Sequence, residues 1–400
     1  MNIWILNHYA TTPDEPTTRS YDMGRQLVKD GHAITIFASS YSHYKFREKV
    51  LQPGEKWRAE NHEGVRFIWL RTFPYRGNEW RRVINMLSYA WRAFRVGIRL
   101  KEKPDVIIGT CVHPLAVLTA YILSRFKKSR FFFEVTDLWP QTLVDMGALS
   151  EKNPMTLSLR ALEKFLYRKA EKIIVLLPHA DDYITSLGIP RDKIVWIPNG
   201  VDLSRYEGLK KYDGGKPGSF SIMYLGGHTL SNGLDIVLQA ARILQDEGKS
   251  NIKFIFVGDG AEKPNLIGLS RELGLHNVEF RDQVPKSEIA KVMGDADAFI
   301  SSARNVPGLH KYGISLNKLF DYLIAGRPVI LAIDAGNNPV AEAGAGITVP
   351  PENSSALAQT AANLAAMKPE ERLQMGENGI AYVKKHHDIR VLAKKLEELF

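Results

Sequence analysis

The chain has 400 residues, of which 44% are hydrophobic and 24% charged, with a formal net charge of +9. That length exceeds what one hydrophobic core usually organises and predicts two domains of roughly 150 to 200 residues each, while the composition excludes a disordered chain. A single cysteine, Cys111, excludes an internal disulfide and argues against a cysteine-based metal site; no apolar run approaches the roughly 18 residues of a membrane span, so a cytoplasmic protein is expected.

In chain order, Asn2 to Asn7 reads as a buried strand, Ser20 to Asp30 as a helix closed by Gly31, and His32 to Ser39 as the next strand, together a βαβ unit. The basic excess is local: residues 41 to 103 hold fifteen Lys or Arg against six Glu. Within it, a helix near Arg81 to Lys103 is expected to carry Arg81, Asn85, Ser88, Arg92, Arg95 and Arg99 on one stripe, with Ile84, Leu87, Trp91, Phe94 and Ile98 largely opposite. Such a helix either lies on an anionic membrane or packs its apolar side on the sheet. Nucleic acid is not expected as a partner, because no recognition motif accompanies the basic patch.

Further strands are predicted at Val106 to Gly109, Arg130 to Val135 and Ile173 to Leu177, with a helix from Met155 to Ala170. Strands alternating with helices indicate a parallel sheet covered on both faces. Turn residues from Ile197 to Asp202 and a polar stretch to Ser219 form the expected interdomain linker. A second alternation follows, with strands at Phe220 to Leu225, Lys253 to Val257, Val278 to Arg281, Ala298 to Ser301 and Pro328 to Ala332. The expected boundaries are residues 1–200 and 201–384, with a terminal helix near 385–400 free to pack on either half. Ligands of open α/β sheets collect at the carboxyl ends of the strands, so a cleft between facing halves is the expected site.

Two stretches carry chemistry. Val257-Gly-Asp-Gly260 joins a strand to a helix and reads either as a phosphate approach through Gly258 or as a tight turn. The more specific stretch runs from Tyr312 to Val329, where Lys318, Asp321 and Tyr322 share one face of a helix starting near Ser315 and ended by Gly326. A carboxylate there can accept ribose hydroxyls, and a lysine near the helix start can neutralise phosphate. Asp295-Ala-Asp297 has the look of an acidic metal pair but is expected to cap a helix, and no metal or cofactor is expected.

Arg19 with Gly31-His32, Asp137-Leu-Trp-Pro140, Ile197 to Asp202, Tyr224 to Gly227 with Asn232 to Asp235, Val257 to Gly260 and Asn317 to Val329 occur in an order that resembles glycosyltransferase family 4. The resemblance implies an α/β GT-B fold of two facing Rossmann-like, doubly wound domains, the first binding acceptor and the second a nucleotide-sugar donor. It also implies transfer with retention at the anomeric carbon and no essential metal. Of the family's paired glutamates, the second corresponds to Asp321 and the first falls on Gly313, which has no carboxylate. The usual Arg and Lys for the donor pyrophosphate are absent too, so donor contacts are expected from Lys318, Asn317, Lys311, His228, Gly258 and the amides of Gly226 and Gly227. These departures resemble the subgroup that builds bacterial surface polysaccharides, including N-acetylfucosamine-type transferases.

In the first half, Asp137 is expected to position acceptor or sugar, with Glu134 as the second candidate. Thr17, Thr18 and Arg19 of the first loop, and His113, are candidate acceptor contacts. The expected partners are a UDP-sugar and a lipid-linked saccharide, met at the inner face of the membrane. Two rival readings stand beside this one: a GT-B epimerase acting on the nucleotide sugar alone, and a non-catalytic homologue that binds a partner transferase.

Overall fold

The structure is a computed structural model describing all residues except Asp14, Pro16, Thr17, Tyr44, Asn78, Glu79, Lys216, Pro217 and Pro307. Thr17 of the first loop therefore lies outside the described residues. The chain divides into two compact units: Met1–Pro198 with Ile389–Phe400, and Asn199–Asp388.

Unit 1 contains β1 (Asn2–Leu6), α1 (Arg19–Lys29), β2 (Ala33–Ser39), β3 (Tyr41–Ser42), β4 (Arg47–Glu48), β5 (Trp57–His62), β6 (Val65–Leu70) and α2 (Trp80–Arg99). It continues with β7 (Val106–Thr110), α3 (Pro114–Lys127), β8 (Arg130–Val135), α4 (Gln141–Asp145), α5 (Pro154–Lys169), β9 (Lys172–Val175), α6 (Ala180–Ser186) and β10 (Ile194–Trp196). Eight strands form one sheet in the order β10-β9-β8-β7-β1-β2-β6-β5. All neighbours pair parallel except β5, which returns antiparallel on β6. The central strands are apolar along most of their length because helices cover both faces. Edge strand β5 alternates exposed and half-buried residues instead.

Unit 2 contains β11 (Phe220–Leu225), α7 (Leu234–Asp246), β12 (Ile252–Val257), α8 (Lys263–Glu272), β13 (Val278–Arg281), α9 (Ile289–Met293), β14 (Ala298–Ser302) and α10 (Asn317–Ile324). It closes with β15 (Val329–Ala332), α11 (Pro339–Ala343), β16 (Gly346–Thr348), α12 (Ser354–Ala366) and α13 (Pro369–His386). Its six-stranded sheet is parallel throughout, ordered β13-β12-β11-β14-β15-β16. The last helix, α14 (Ile389–Glu397), returns to unit 1. There Ile389, Leu392, Ala393 and Leu396 join the core around Ile3, Leu27 and Ile34. Burial of each of the Ile and Leu side chains contributes about 1.5–3 kcal/mol.

Two sequence expectations change. Residues 199–214 of the expected linker are held by unit 2: Asn199 donates to the Ser315 carbonyl, Val201 bridges to Asp388, and Arg372 and Arg327 donate to the carbonyls of Gly214 and Lys210. These bonds satisfy turn backbone that would otherwise need water, and they fasten the stretch to unit 2.

Helix α2 is also turned differently from the expected stripe. Its buried face is Asn85, Met86, Tyr89, Ala93 and Gly97, whereas Trp80, Val83, Leu87, Trp91 and Ile98 are exposed. Ala93 and Gly97 lie on the inner face where the helix runs close to its neighbours: a Cβ at Gly97 would stand 2.9 Å from Leu123 Cδ1 and 3.5 Å from the Trp4 ring. Asn85 is drawn inside because its amide donates to Thr72 Oγ1 and the Phe73 carbonyl. The large apolar residues thus share the outer face with arginines, with Arg95 4.7 Å from the Trp91 ring centre and Arg81 5.7 Å from that of Trp80.

Candidate functional site

In unit 2 the chemistry gathers at the carboxyl ends of β11 and β12 and at the start of α10. Strand β11 ends in Gly226-Gly227-His228, which turns into a short 3-10 segment, Leu230–Asn232, before α7. Lys318, in the first turn of α10, lays its stem beside Gly226 and donates to Asn232 Oδ1 at 2.8 Å and Tyr224 Oη at 3.2 Å. Tyr224 and Asn232 in turn each donate to the Gly227 carbonyl at 2.8 Å. This array fixes the loop peptide and leaves one of the three ammonium hydrogens of Lys318 for a ligand. Burial among these groups pushes the Lys318 pKa down to about 7.

The loop amides are not equivalent. Gly226 N–H is spent on the Val257 carbonyl and His228 N–H on the Asp259 carbonyl, whereas Gly227 N–H has no partner among the described residues. The available amide donor is therefore that of Gly227, not Gly226. Gly258 serves the same loop in another way: a Cβ there would lie 2.0 Å from the Gly226 carbonyl oxygen, and one at Gly260 would lie 2.3 Å from that of His228. Both glycines are required for the two strand-end loops to pack backbone to backbone. The His228 ring is enclosed by that packing, and burial lowers its pKa to about 4. Neither ring nitrogen finds a hydrogen-bond partner among the described residues.

Asp321 lies one turn after Lys318, and its Oδ1 accepts from Tyr206 Oη at 2.7 Å. Tyr206 ends the 3-10 turn Leu203–Tyr206, inside the stretch expected to be linker. Sequence reasoning missed it because the contact spans 115 positions and leaves no periodic trace. Asn317 is exposed at the helix start, and Lys311 is exposed with its ammonium 5.4 Å from the Tyr312 ring centre. Asp295 pairs with Arg281, and Asp297 accepts from the Ser221 amide, so both carboxylates have structural partners.

In unit 1 the expected residues separate into one open group and a set of internal braces. Asp137 follows β8, is exposed, and has no hydrogen bond to its carboxylate among the described residues. Neighbouring protein atoms still desolvate it in part, which raises its pKa. Glu134, by contrast, receives Arg19 Nε at 3.0 Å on one oxygen and Thr110 Oγ1 at 2.8 Å on the other. Arg19 uses its remaining nitrogens on the carbonyls of Ile197 and Pro198. Glu134, the second candidate for positioning acceptor or sugar, and Arg19, a candidate acceptor contact, are thus engaged with each other and with the protein: together they brace the ends of β7, β8 and β10 against α1. Thr18 is buried and donates to Asp22 Oδ2 at 2.5 Å. His113 is also internal, its Nδ1 accepting from Ala116 N–H at 3.3 Å and its Nε2 lying 2.7 Å from His8 Nδ1. Both imidazoles therefore contribute to the interior, and His113 is not an open acceptor contact.

Two parallel-sheet α/β units, each with polar groups at its strand ends, define a nucleotide-handling class of fold rather than one reaction. Comparisons narrow it. The glycosyl transferase 4-like domain matches residues 15–200, and the glycosyl transferases group 1 domain matches residues 212–382. The chain is a GT-B glycosyltransferase carrying these two domains in tandem.

Among curated proteins, it is 21% identical over 299 residues to the glycosyltransferase WbjE of Pseudomonas aeruginosa, covering 72% of this chain and 73% of that one. It is 24% identical over 239 residues to the colanic acid biosynthesis glycosyltransferase WcaL of Escherichia coli, covering 58% and 57% of the two chains. Among solved structures, sucrose-phosphate synthase from Thermosynechococcus elongatus aligns over 100% of this chain and 98% of its own, with a TM-score of 0.76 and 17% identity. HepE of Anabaena, solved with UDP and glucose, aligns over 99% and 98% with a TM-score of 0.67 and 14% identity. At these identities the structural likeness is one of fold.

Proposed function

We propose that this glycosyltransferase takes a sugar from a UDP-sugar donor bound by unit 2 and transfers it to a lipid-linked saccharide in the assembly of a surface polysaccharide. The observation that carries the reading is the Lys318–Asn232–Tyr224–Gly227 array beside Asp321. The third ammonium hydrogen and the Gly227 amide supply phosphate donors, and the Asp321 carboxylate supplies the ribose acceptor. The colanic acid biosynthesis in which WcaL is named supports the acceptor class, and the UDP in HepE supports the nucleotide.

Transfer proceeds with retention and without a metal in this reading, an N-acetylamino sugar such as N-acetylfucosamine being the donor. Asp137, the open carboxylate of unit 1, positions the incoming hydroxyl. The outer face of α2, where Trp80, Leu87, Trp91 and Ile98 stand among arginines, rests on the anionic inner face of the membrane and brings the enzyme to its acceptor.

Calorimetric titration with UDP, GDP, ADP and dTDP, followed by transfer assays with nucleotide sugars, lipid-linked acceptors and a chelator, tests the reading. UDP binding and chelator-resistant transfer to the lipid acceptor are expected. Conversion of the nucleotide sugar without any acceptor would mark an epimerase instead, and absence of both nucleotide binding and turnover would mark a non-catalytic homologue.

A further inference from the structure

Unit 1 contains a second polar site that the donor chemistry does not use. His8 follows β1 and is fully buried, its ring stacked on Tyr89 at 4.2 Å and 7° and on Tyr9 at 4.4 Å and 24°. The proton positions on His8 and His113 follow from their partners. Ala116 N–H donates to His113 Nδ1, so in a neutral ring the His113 proton sits on Nε2 and is donated to His8 Nδ1. The proton of His8 is then on Nε2. Burial keeps both rings neutral, with His113 pushed down to about 3 and His8 held well below the ordinary histidine value.

That His8 Nε2–H is buried and has no acceptor among the described residues. His8 borders a small cavity at the carboxyl ends of β1, β2 and β6, with Ser39, Ser42, His43 and Trp69 around it. Glu15 and Lys49, also on its wall, neutralise each other at 3.2 Å. The cavity wall therefore holds a histidine N–H donor, the Ser42 hydroxyl and aromatic rings, while Arg82 beside Tyr9 adds a positive charge near His8 and His43. A buried donor held between two stacked rings cannot turn away to find water, so an occupant must bring the acceptor.

The geometry points to a recognition pocket for one uncharged, oxygen-bearing substituent of a saccharide, a hydroxymethyl or an acetamido group, whose oxygen accepts from His8 Nε2–H. The His8 donor belongs to a neutral ring, which suits an uncharged oxygen, and the small cavity admits a substituent rather than a whole ring. This rests on the glycosyltransferase reading only for the ligand class.

Histidine side-chain nitrogen NMR on the full chain tests the assignment, with xylose, glucose, N-acetylglucosamine and inorganic phosphate as separate probes. The expected result is a His8 proton on Nε2 and a saturable shift of that resonance with glucose or N-acetylglucosamine, the responding sugar identifying the substituent. Xylose, which lacks both groups, and phosphate are expected to leave it unmoved. Ser42→Met, which fills the cavity without touching the histidine pair, is expected to abolish the shift while UDP binding is retained. His8→Phe keeps the stacked ring and serves as a second variant with the donor removed. A proton on Nδ1, a response to phosphate or xylose, or no response to either larger sugar would overturn the proposal, the last meaning that a water alone fills the cavity. Because UDP affinity is read separately, failure here is distinguishable from failure of the donor reading.

Discussion

Lys318 is the residue whose chemistry is most open to measurement. A bound phosphate favours its ammonium form, so nucleotide affinity is expected to fall as pH rises above about 7, the value to which burial has lowered it. Stability moves the opposite way. The unfolded lysine keeps its proton up to its ordinary value of 10.5, so the unfolded state binds more protons across that window and the empty protein gains stability as pH rises through it. Calorimetry and thermal unfolding across this range separate the two effects. Lys318→Gln is expected to bind nucleotide about tenfold or more weakly, as for a lost hydrogen bond to a charged group, and without the pH dependence. An unchanged pH profile in the variant would remove Lys318 from the site.

At the scale of elements, two devices set the site and its placement. The first is the packing of the loop after β11 on the loop after β12, which Gly258 permits. Gly258→Ala places a methyl 2.0 Å from the Gly226 carbonyl oxygen, so the loops must separate. We expect a loss of roughly 2–4 kcal/mol in unfolding free energy together with weaker nucleotide binding, measured by denaturant unfolding and calorimetry. The second is the outer face of α2. Leu87 and Trp91 are 51% and 54% exposed, so Leu87→Ser with Trp91→Ser is expected to change stability by less than about 1 kcal/mol. Sedimentation with anionic vesicles is expected to show several-fold weaker binding of the double variant, and undiminished binding would count against this face. The alternation of apolar residues made α2 legible in the sequence. It did not say which side faced inward, because Gly97 and Ala93 fit a close helix neighbour where larger side chains do not, and Tyr89 is drawn inside by donating to the distant Phe37 carbonyl.

For the whole molecule, stability is coupled to pH through Glu163, buried in unit 1. One oxygen accepts from Tyr183 Oη at 2.8 Å and the other has no partner among the described residues. Desolvation raises its pKa from 4.5 to about 8. Between those values the folded state holds a proton that the unfolded state has lost, so the contribution of Glu163 to stability falls as pH rises through that interval and is constant above it. Glu163→Gln, which cannot ionise, is expected to flatten this dependence and to raise the melting temperature by several degrees near pH 8, each kcal/mol being worth roughly 2–4 °C in a domain of this size. Equal melting shifts at pH 5 and pH 8 would show that Glu163 is not the titrating group.

By itself, the sequence determined the alternation of strands and helices, the two-part organisation and the helix carrying Lys318 and Asp321. These depend on periodicity, turn residues and spacing within a few positions, all of which are local. Only the tertiary structure decided that Glu134 and Arg19 neutralise each other, that His113 is bound to His8, that residues 199–214 are fastened to unit 2, and that Tyr206 reaches Asp321. Each of those outcomes joins residues far apart in the chain. Whether a charged or polar side chain serves a ligand or the interior is settled by which distant partner packs against it, because desolvation without such a partner costs free energy.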